Sequence, residues 1–217
     1  MRTFGFSEFL YIVEAAQWTL ALSLIAFIGG AILGLVIALA RTSENKAARG
    51  ASTVFIQIFQ GTPLLLQLFL IFFGAPVLGL DINPWVAAGV ALVLNSAAFL
   101  GEIWRGCIEA VPRGQWEAAE ALSLDYRSRM HDVVLPQAFK IALPPTVGYV
   151  VQIIKGTSLA AIIGFTEITR AGQIINSATF QPLPVFATVA VLYFIICWPL
   201  SLLAAHMERS RARALER

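Results

Sequence analysis

Long runs without a charged side chain alternate with short polar stretches along this chain. A helix rises about 1.5 Å per residue, and a bilayer's hydrocarbon core is about 30 Å thick. Residues 15–40, 53–79, 84–104, 141–164 and 185–205 are each long and apolar enough to cross. Gly30 and Gly34 in the first span form a GxxxG, a spacing that lets two helices approach closely. In the second, Gly61 and Pro63 loosen the helix. The fourth begins with a kink at Pro144-Pro145, and its uncharged part stops at Lys155. The helix from Ile141 to Ile154 rises only about 21 Å. The span therefore runs on through Lys155, Gly156, Thr157 and Ser158 towards Ile163-Gly164, and Gly156 marks the expected break. Pro199 bends the last span.

The connecting stretches have their own patterns. Residues 1–14 carry Phe4, Phe6, Phe9 and Tyr11, a density of aromatic rings that suits a membrane interface. Asp81-Ile82-Asn83-Pro84 reads as a turn, with Pro84 opening the next helix. Residues 115–123 are rich in Ala, Glu and Gln and predict a short polar helix. Residues 165–184 predict an outside segment with a short helix around Glu167 to Asn176. Alternating the loops places twelve of the fifteen Lys and Arg on one side, from Arg41 to Arg217. Arg2, Lys155 and Arg170 fall on the other side or within the membrane. By the positive-inside rule the N-terminus faces outward, and the C-terminus and residues 115–123 face the cytoplasm.

Composition fixes the class. Hydrophobic residues make up 58% and charged residues 13% of 217, against about 25% charged in an ordinary soluble domain. The chain is read as an all-α integral membrane protein of one domain, 1–217, with no cleavable signal expected at its start. Cys107 and Cys197 suit small buried side chains better than a disulfide or metal framework. An enzyme needs a site, and the only histidines are His131 and His206, both expected at the cytoplasmic face. No His-Glu-x-x-His, G-x-S-x-G or metal-spaced cluster occurs, and no P-loop, so any ATP hydrolysis belongs to another chain. A transport subunit, a membrane scaffold and, less favoured, a membrane-embedded enzyme are the competing readings.

Polar side chains inside the spans favour transport. Gln60, Thr62 and Gln67 interrupt the second span, Asn95 and Ser96 the third, and Lys155, Thr157 and Ser158 the fourth. Such groups need partners or a wet cavity in hydrocarbon. Together with Glu102, which has Arg105 three residues on, they are candidates for a solute path. Their rival role is interhelical hydrogen bonding or, for Glu102, an ion pair at the cytoplasmic edge.

Five stretches carry a family resemblance: Gly61-Thr62-Pro63-Leu64-Leu65-Leu66-Gln67, Glu102-Ile103-Trp104-Arg105-Gly106, Val111-Pro112-Arg113-Gly114-Gln115-Trp116-Glu117-Ala118-Ala119, Leu135-Pro136-Gln137-Ala138, and Lys155-Gly156-Thr157-Ser158-Leu159. Together they resemble the permease subunits of bacterial ABC importers for polar amino acids, the EAA-loop family, over roughly Thr19 to Ala205. The resemblance implies an ABC type I importer permease fold of five spans with a cytoplasmic coupling helix at 115–123. Glu117, Ala118, Ala119, Leu122 and Ser123 then become the residues that meet an ATPase. It implies a bacterial inner-membrane location, a dimer of ATPase subunits, a second permease subunit (identical or homologous) and an external solute-binding protein. No cofactor or metal is expected on this chain, with ATP and Mg on the ATPase, and no nucleic-acid partner. The cargo implied is a polar amino acid or a close relative such as an opine, moved by alternating access. Three residues depart from the family pattern: Ser123 where Gly is usual, Gln60 where Arg is usual, and Gly156 where Asp is usual.

Overall fold

The computed structural model describes residues 3–215. Met1 and Arg2, of the expected interfacial segment, and Glu216 and Arg217, of the basic tail, lie outside the described residues. The described residues form helices α1 (Phe6–Thr42), α2 (Lys46–Gly61), α3 (Leu64–Val77), α4 (Pro84–Glu109), α5 (Arg113–Ala121), α6 (Tyr126–Ser128), α7 (Leu135–Gly156), α8 (Ile168–Thr179) and α9 (Pro182–Leu215). A π-helical turn, Arg129–Val134, joins α6 to α7, and a 3-10 segment, Thr157–Ile163, extends α7. Four helical stretches are long and apolar enough to cross a membrane, and the pair α2–α3 makes a fifth if its two halves form one span.

That pair corrects the expected straight span 53–79. The chain bends by 100° between α2 and α3, at Thr62 and Pro63. Pro63 has no N–H to give the Phe59 carbonyl, so the hydrogen-bond ladder stops there. The break expected at Gly156 is absent. Gly156 keeps helical angles (φ −60°, ψ −29°), the helix tightens to 3-10, and the chain turns at Gly164, whose φ is +88°. The helix reaches back further than 141, since the basic stretch around Arg127 and Arg129 is itself helical. α1 likewise begins at Phe6, so most of the expected interfacial segment belongs to the first helix.

α4 is the central helix. In its most apolar stretch 61% of residues are buried inside the chain, against 28% for α1 and 17% for α9. Its buried positions are mostly small: Ala87, Ala88, Ala91, Ser96, Ala97, Ala98 and Gly101. Small residues let backbones approach where lipid gives no hydrophobic drive between helices. The GxxxG of α1 meets this seam. A Cβ at Gly30 would stand 2.5 Å from Ser96 Cβ, and one at Gly34 3.1 Å from both Leu100 Cβ and the Gly101 nitrogen. The surfaces of α1 and α9 carry exposed Ile32, Val36, Phe194 and Ile195, as side chains facing lipid tails do.

The candidate path and the polar helix

The polar residues of the second and third spans meet at the α2–α3 break. Gln67 is buried, and its Nε2 donates to the Phe59 carbonyl at 2.8 Å and the Thr62 carbonyl at 3.0 Å. Asn95, buried on α4, donates to the Phe59 carbonyl at 3.3 Å and to Gln67 Oε1 at 3.1 Å. The Tyr149 hydroxyl donates to Asn95 Oδ1 at 3.5 Å. Thr62 donates its hydroxyl to the Ile58 carbonyl at 2.7 Å. The two amides thus replace the hydrogen bond that Pro63 removes, and in hydrocarbon an unmatched carbonyl is costly. This geometry makes Gln67 and Asn95 parts of the scaffold.

The other candidates do not join that cluster. Gln60 is exposed and reaches the Ala98 carbonyl at 3.2 Å. Thr157 is buried, bonded to the Ile154 carbonyl at 2.7 Å, and Ser158 bonds the Lys155 carbonyl at 2.6 Å. Ser96 is buried in the α1–α4 seam. Glu102 sits near the C-terminal end of α4 in an ion-pair network, 2.6 Å from Arg105 and 4.0 Å from Arg41. Arg105 also pairs with Glu109. Lys155 is exposed, with no carboxylate within 4.0 Å among the described residues.

Glu167, a possible counter-charge for Lys155, is bound elsewhere. It is fully buried and caps α8, accepting from the Thr169 and Arg170 amides at 2.9 and 2.8 Å. The Tyr193 hydroxyl donates to it at 2.6 Å. Burial pushes this carboxyl above the ordinary carboxylate range, and the Tyr193 and backbone donors pull part of the way back. Tyr149, Tyr193 and the Trp104–Thr146 pair at 2.9 Å are polar contacts that the sequence reading passed over. The signal was present: a Tyr or Trp inside a span needs a partner for its polar tip.

The predicted polar helix is α5, opened by Pro112 and ended by a left-handed turn. The Ser123 N–H bonds the Glu120 carbonyl at 2.8 Å, and the Leu124 N–H bonds the Ala119 carbonyl at 3.2 Å. This is a Schellman cap with Ser123, at φ +57°, in the position glycine usually fills. Glu117, Ala118 and Leu122 are exposed, Leu122 at 76%. Ala119 is the correction: only 2% of it is exposed, so its side chain faces its own subunit and offers no surface to a partner. Trp116, on the same helix, packs with Val111, Met130 and Val134 beneath α5.

Residues 15–213 match the family of binding-protein-dependent transport system inner membrane components. The chain belongs to this family. It is 36% identical over 190 residues to the probable amino-acid ABC transporter permease YckA of Bacillus subtilis, covering 88% of this chain and 84% of that one. It is 37% identical over 200 residues to the glutamine transport system permease GlnP of Escherichia coli, covering 91% of both. A solved amino acid ABC transporter crystallised with histidines superposes with a TM-score of 0.88 at 33% identity, over 96% of this chain and all of that one. The MetNI methionine transporter shares the fold, with a TM-score of 0.79 at 19% identity, over 95% of this chain and 99% of that one. As a family member the chain is a multi-pass inner-membrane subunit of an ATP-driven importer. It performs no hydrolysis itself, and a separate ATPase partner supplies it.

Proposed function

We propose that this chain carries a polar amino acid into the cytoplasm as one of two permease subunits, identical or homologous, fed by an external solute-binding protein. The observation that carries the reading is an uneven surface. Exposed polar groups within spans are found on α2 and α7, at Gln57, Gln60, Gln152 and Lys155, whereas α1 from Trp18 to Val36 and α9 from Phe186 to Trp198 expose only apolar side chains. An exposed Lys at a helix centre costs about 2.5–3.5 kcal/mol in lipid on insertion scales. A second subunit and a wet path between the two would remove that penalty. Gly156, next in the chain to Lys155, packs inward near the α2–α3 break, where its Cβ would lie 3.2 Å from Leu64 Cδ2 and 3.5 Å from Leu92 Cδ2. Lys155 then offers a cation to the solute carboxylate, with Gln60, Thr62 and Ser158 as further uncharged candidates. The relatives named for amino-acid and glutamine transport support the same cargo class.

The N-terminus faces the periplasm and the C-terminus the cytoplasm, in line with twelve of fifteen basic residues on the inner side. α5 is the coupling helix, with Glu117, Ala118 and Leu122 as its outward ridge and Ser123 as its cap. ATP and Mg bind the ATPase pair, whose closure moves α5 and opens the path outward by turns. The test is uptake by the reconstituted complex, with its ATPase and binding protein, across a panel of polar amino acids. Solute-stimulated ATPase and uptake are expected. Lys155→Met should lower uptake while assembly and basal ATPase persist. Unchanged uptake in Lys155→Met removes this residue from the path, and absence of uptake for every amino acid tested removes the cargo class.

A further inference from the structure

α1 and α9 meet at one end of the bundle, where Ile12 and Ala15 of α1 cluster with Val185 and Val189 of α9 and Ile168 of α8. Towards the cytoplasmic ends a groove of about 620 Å³ lies on α7, walled by α1 and α4. Ile32 and Leu35 of α1, Trp104 and Ile108 of α4, and Phe139 and Leu143 of α7 line it. It is apolar, and the Trp104 indole N–H in its floor is matched by Thr146 Oγ1. Ile32 and Phe139 remain 62% and 65% exposed at its rim, so it opens sideways to the bilayer.

Leu143 also lines a second hollow, of about 410 Å³, with Lys140, His206, Ser210 and Arg211. This one is cationic. Lys140 and Arg211 have no carboxylate within 4.0 Å among the described residues. Arg211 reaches the Ile141 carbonyl at 3.4 Å. Glu208, the nearby acid on α9, lines a neighbouring hollow with Cys107, Ala110 and Arg211 itself, but makes no ion pair with Arg211 within 4.0 Å among the described residues.

An apolar groove open to lipid and a basic hollow, sharing one residue, have the two-part chemistry of a phospholipid. We propose that they form one site for an anionic phospholipid of the cytoplasmic leaflet. Its phosphate is held by Lys140, Ser210 and Arg211, and one acyl chain crosses Leu143 and Phe139 into the groove between α1 and α7. The leaflet rests on the orientation proposed above. Basic pockets between helices on the cytoplasmic side suit acidic headgroups, and the adjoining groove selects a lipid over a soluble phosphate. α7 also carries Lys155, so the lipid sits on a helix of the proposed path.

Native mass spectrometry of the complete complex tests this, independently of any uptake. The complex, with its ATPase, is exposed to equal amounts of phosphatidylglycerol and phosphatidylcholine. Preferential retention of phosphatidylglycerol is expected. The double variant Lys140→Ala, Arg211→Ala should lower that retention on the order of tenfold or more, each cation near the surface accounting for about fivefold. Phosphatidylcholine should be retained equally by both forms. Equal retention of the two lipids by the native complex, or no change in the double variant, overturns the proposal. Displacement of phosphatidylglycerol by inorganic phosphate at equal concentration assigns the hollow to a free anion instead. Loss of the ATPase from the double variant, with lipid retained, assigns it to protein docking.

Discussion

The Gln67 side-chain amide donates to the Phe59 carbonyl at 2.8 Å, across the break that Pro63 opens between α2 and α3. One side chain thereby supplies the hydrogen bond that proline removes, and Asn95 adds a second donor from α4. The bend is therefore tied to the central helix. Gln67→Leu takes a donor from the part-buried Phe59 and Thr62 carbonyls and removes an acceptor of the buried Asn95 amide. The expected loss is about 1–3 kcal/mol, the usual penalty for an unsatisfied buried polar group. Thermal unfolding of the purified complex measures it, with Asn95→Leu expected to behave alike. Native stability in both variants, joined to lost uptake, would return these amides to the solute path.

Ser123 occupies the left-handed position of the cap on α5. A side chain there is crowded against the following carbonyl, by about 1–2 kcal/mol for most residues and less for short polar ones. Ser123→Gly removes the crowding at the expense of a freer unfolded chain. We expect a gain of about 0.5–1 kcal/mol for Gly and a loss for Ser123→Val, read from unfolding midpoints. A Gly variant less stable than the native chain contradicts the cap assignment.

Glu167 should make stability depend on pH. Its folded-state pKa is raised from the ordinary 4.5, burial being the largest cause. A raised acid holds its proton more tightly when folded. Its contribution is fully present below the unfolded pKa and is lost as pH rises through the folded one. Glu167→Gln keeps an acceptor for the α8 amides and removes the titration. Unfolding midpoints between about pH 4 and 7 should therefore fall less steeply with pH in the variant than in the native protein. Parallel slopes contradict this role for Glu167.

Much of the fold was legible because a bilayer enforces a simple rule. An uncharged run of sufficient length must cross as a helix, and residues 15–40 and 185–205 lie within α1 and α9. The sharp bend was half legible. Gly61 and Pro63 announced a weak point, but an angle of 100° depends on which donors capture the freed carbonyls, and Gln67 and Asn95 stand 28 residues apart. Polarity alone could not say whether those amides face a solute or a backbone. Gly156 misled for the opposite reason: its flexibility permits a break, yet packing near Leu64 and Leu92 accompanies an unbroken helix. The ridge of α5 was legible in composition. Ala119 was not separable from Ala118, because only tertiary packing decides which neighbour turns inward.

α5 is the element proposed to meet the ATPase, and its two adjacent alanines give the most direct measurement. A photo-crosslinking residue is placed in turn at Ala118, Ala119 and Leu122 of the assembled complex, and the products are separated by mass. Positions 118 and 122 should yield adducts with the ATPase subunit, and position 119 adducts within its own chain, if the complex assembles with it. ATPase adducts absent from positions 118 and 122, or appearing at position 119 alone, contradict the account.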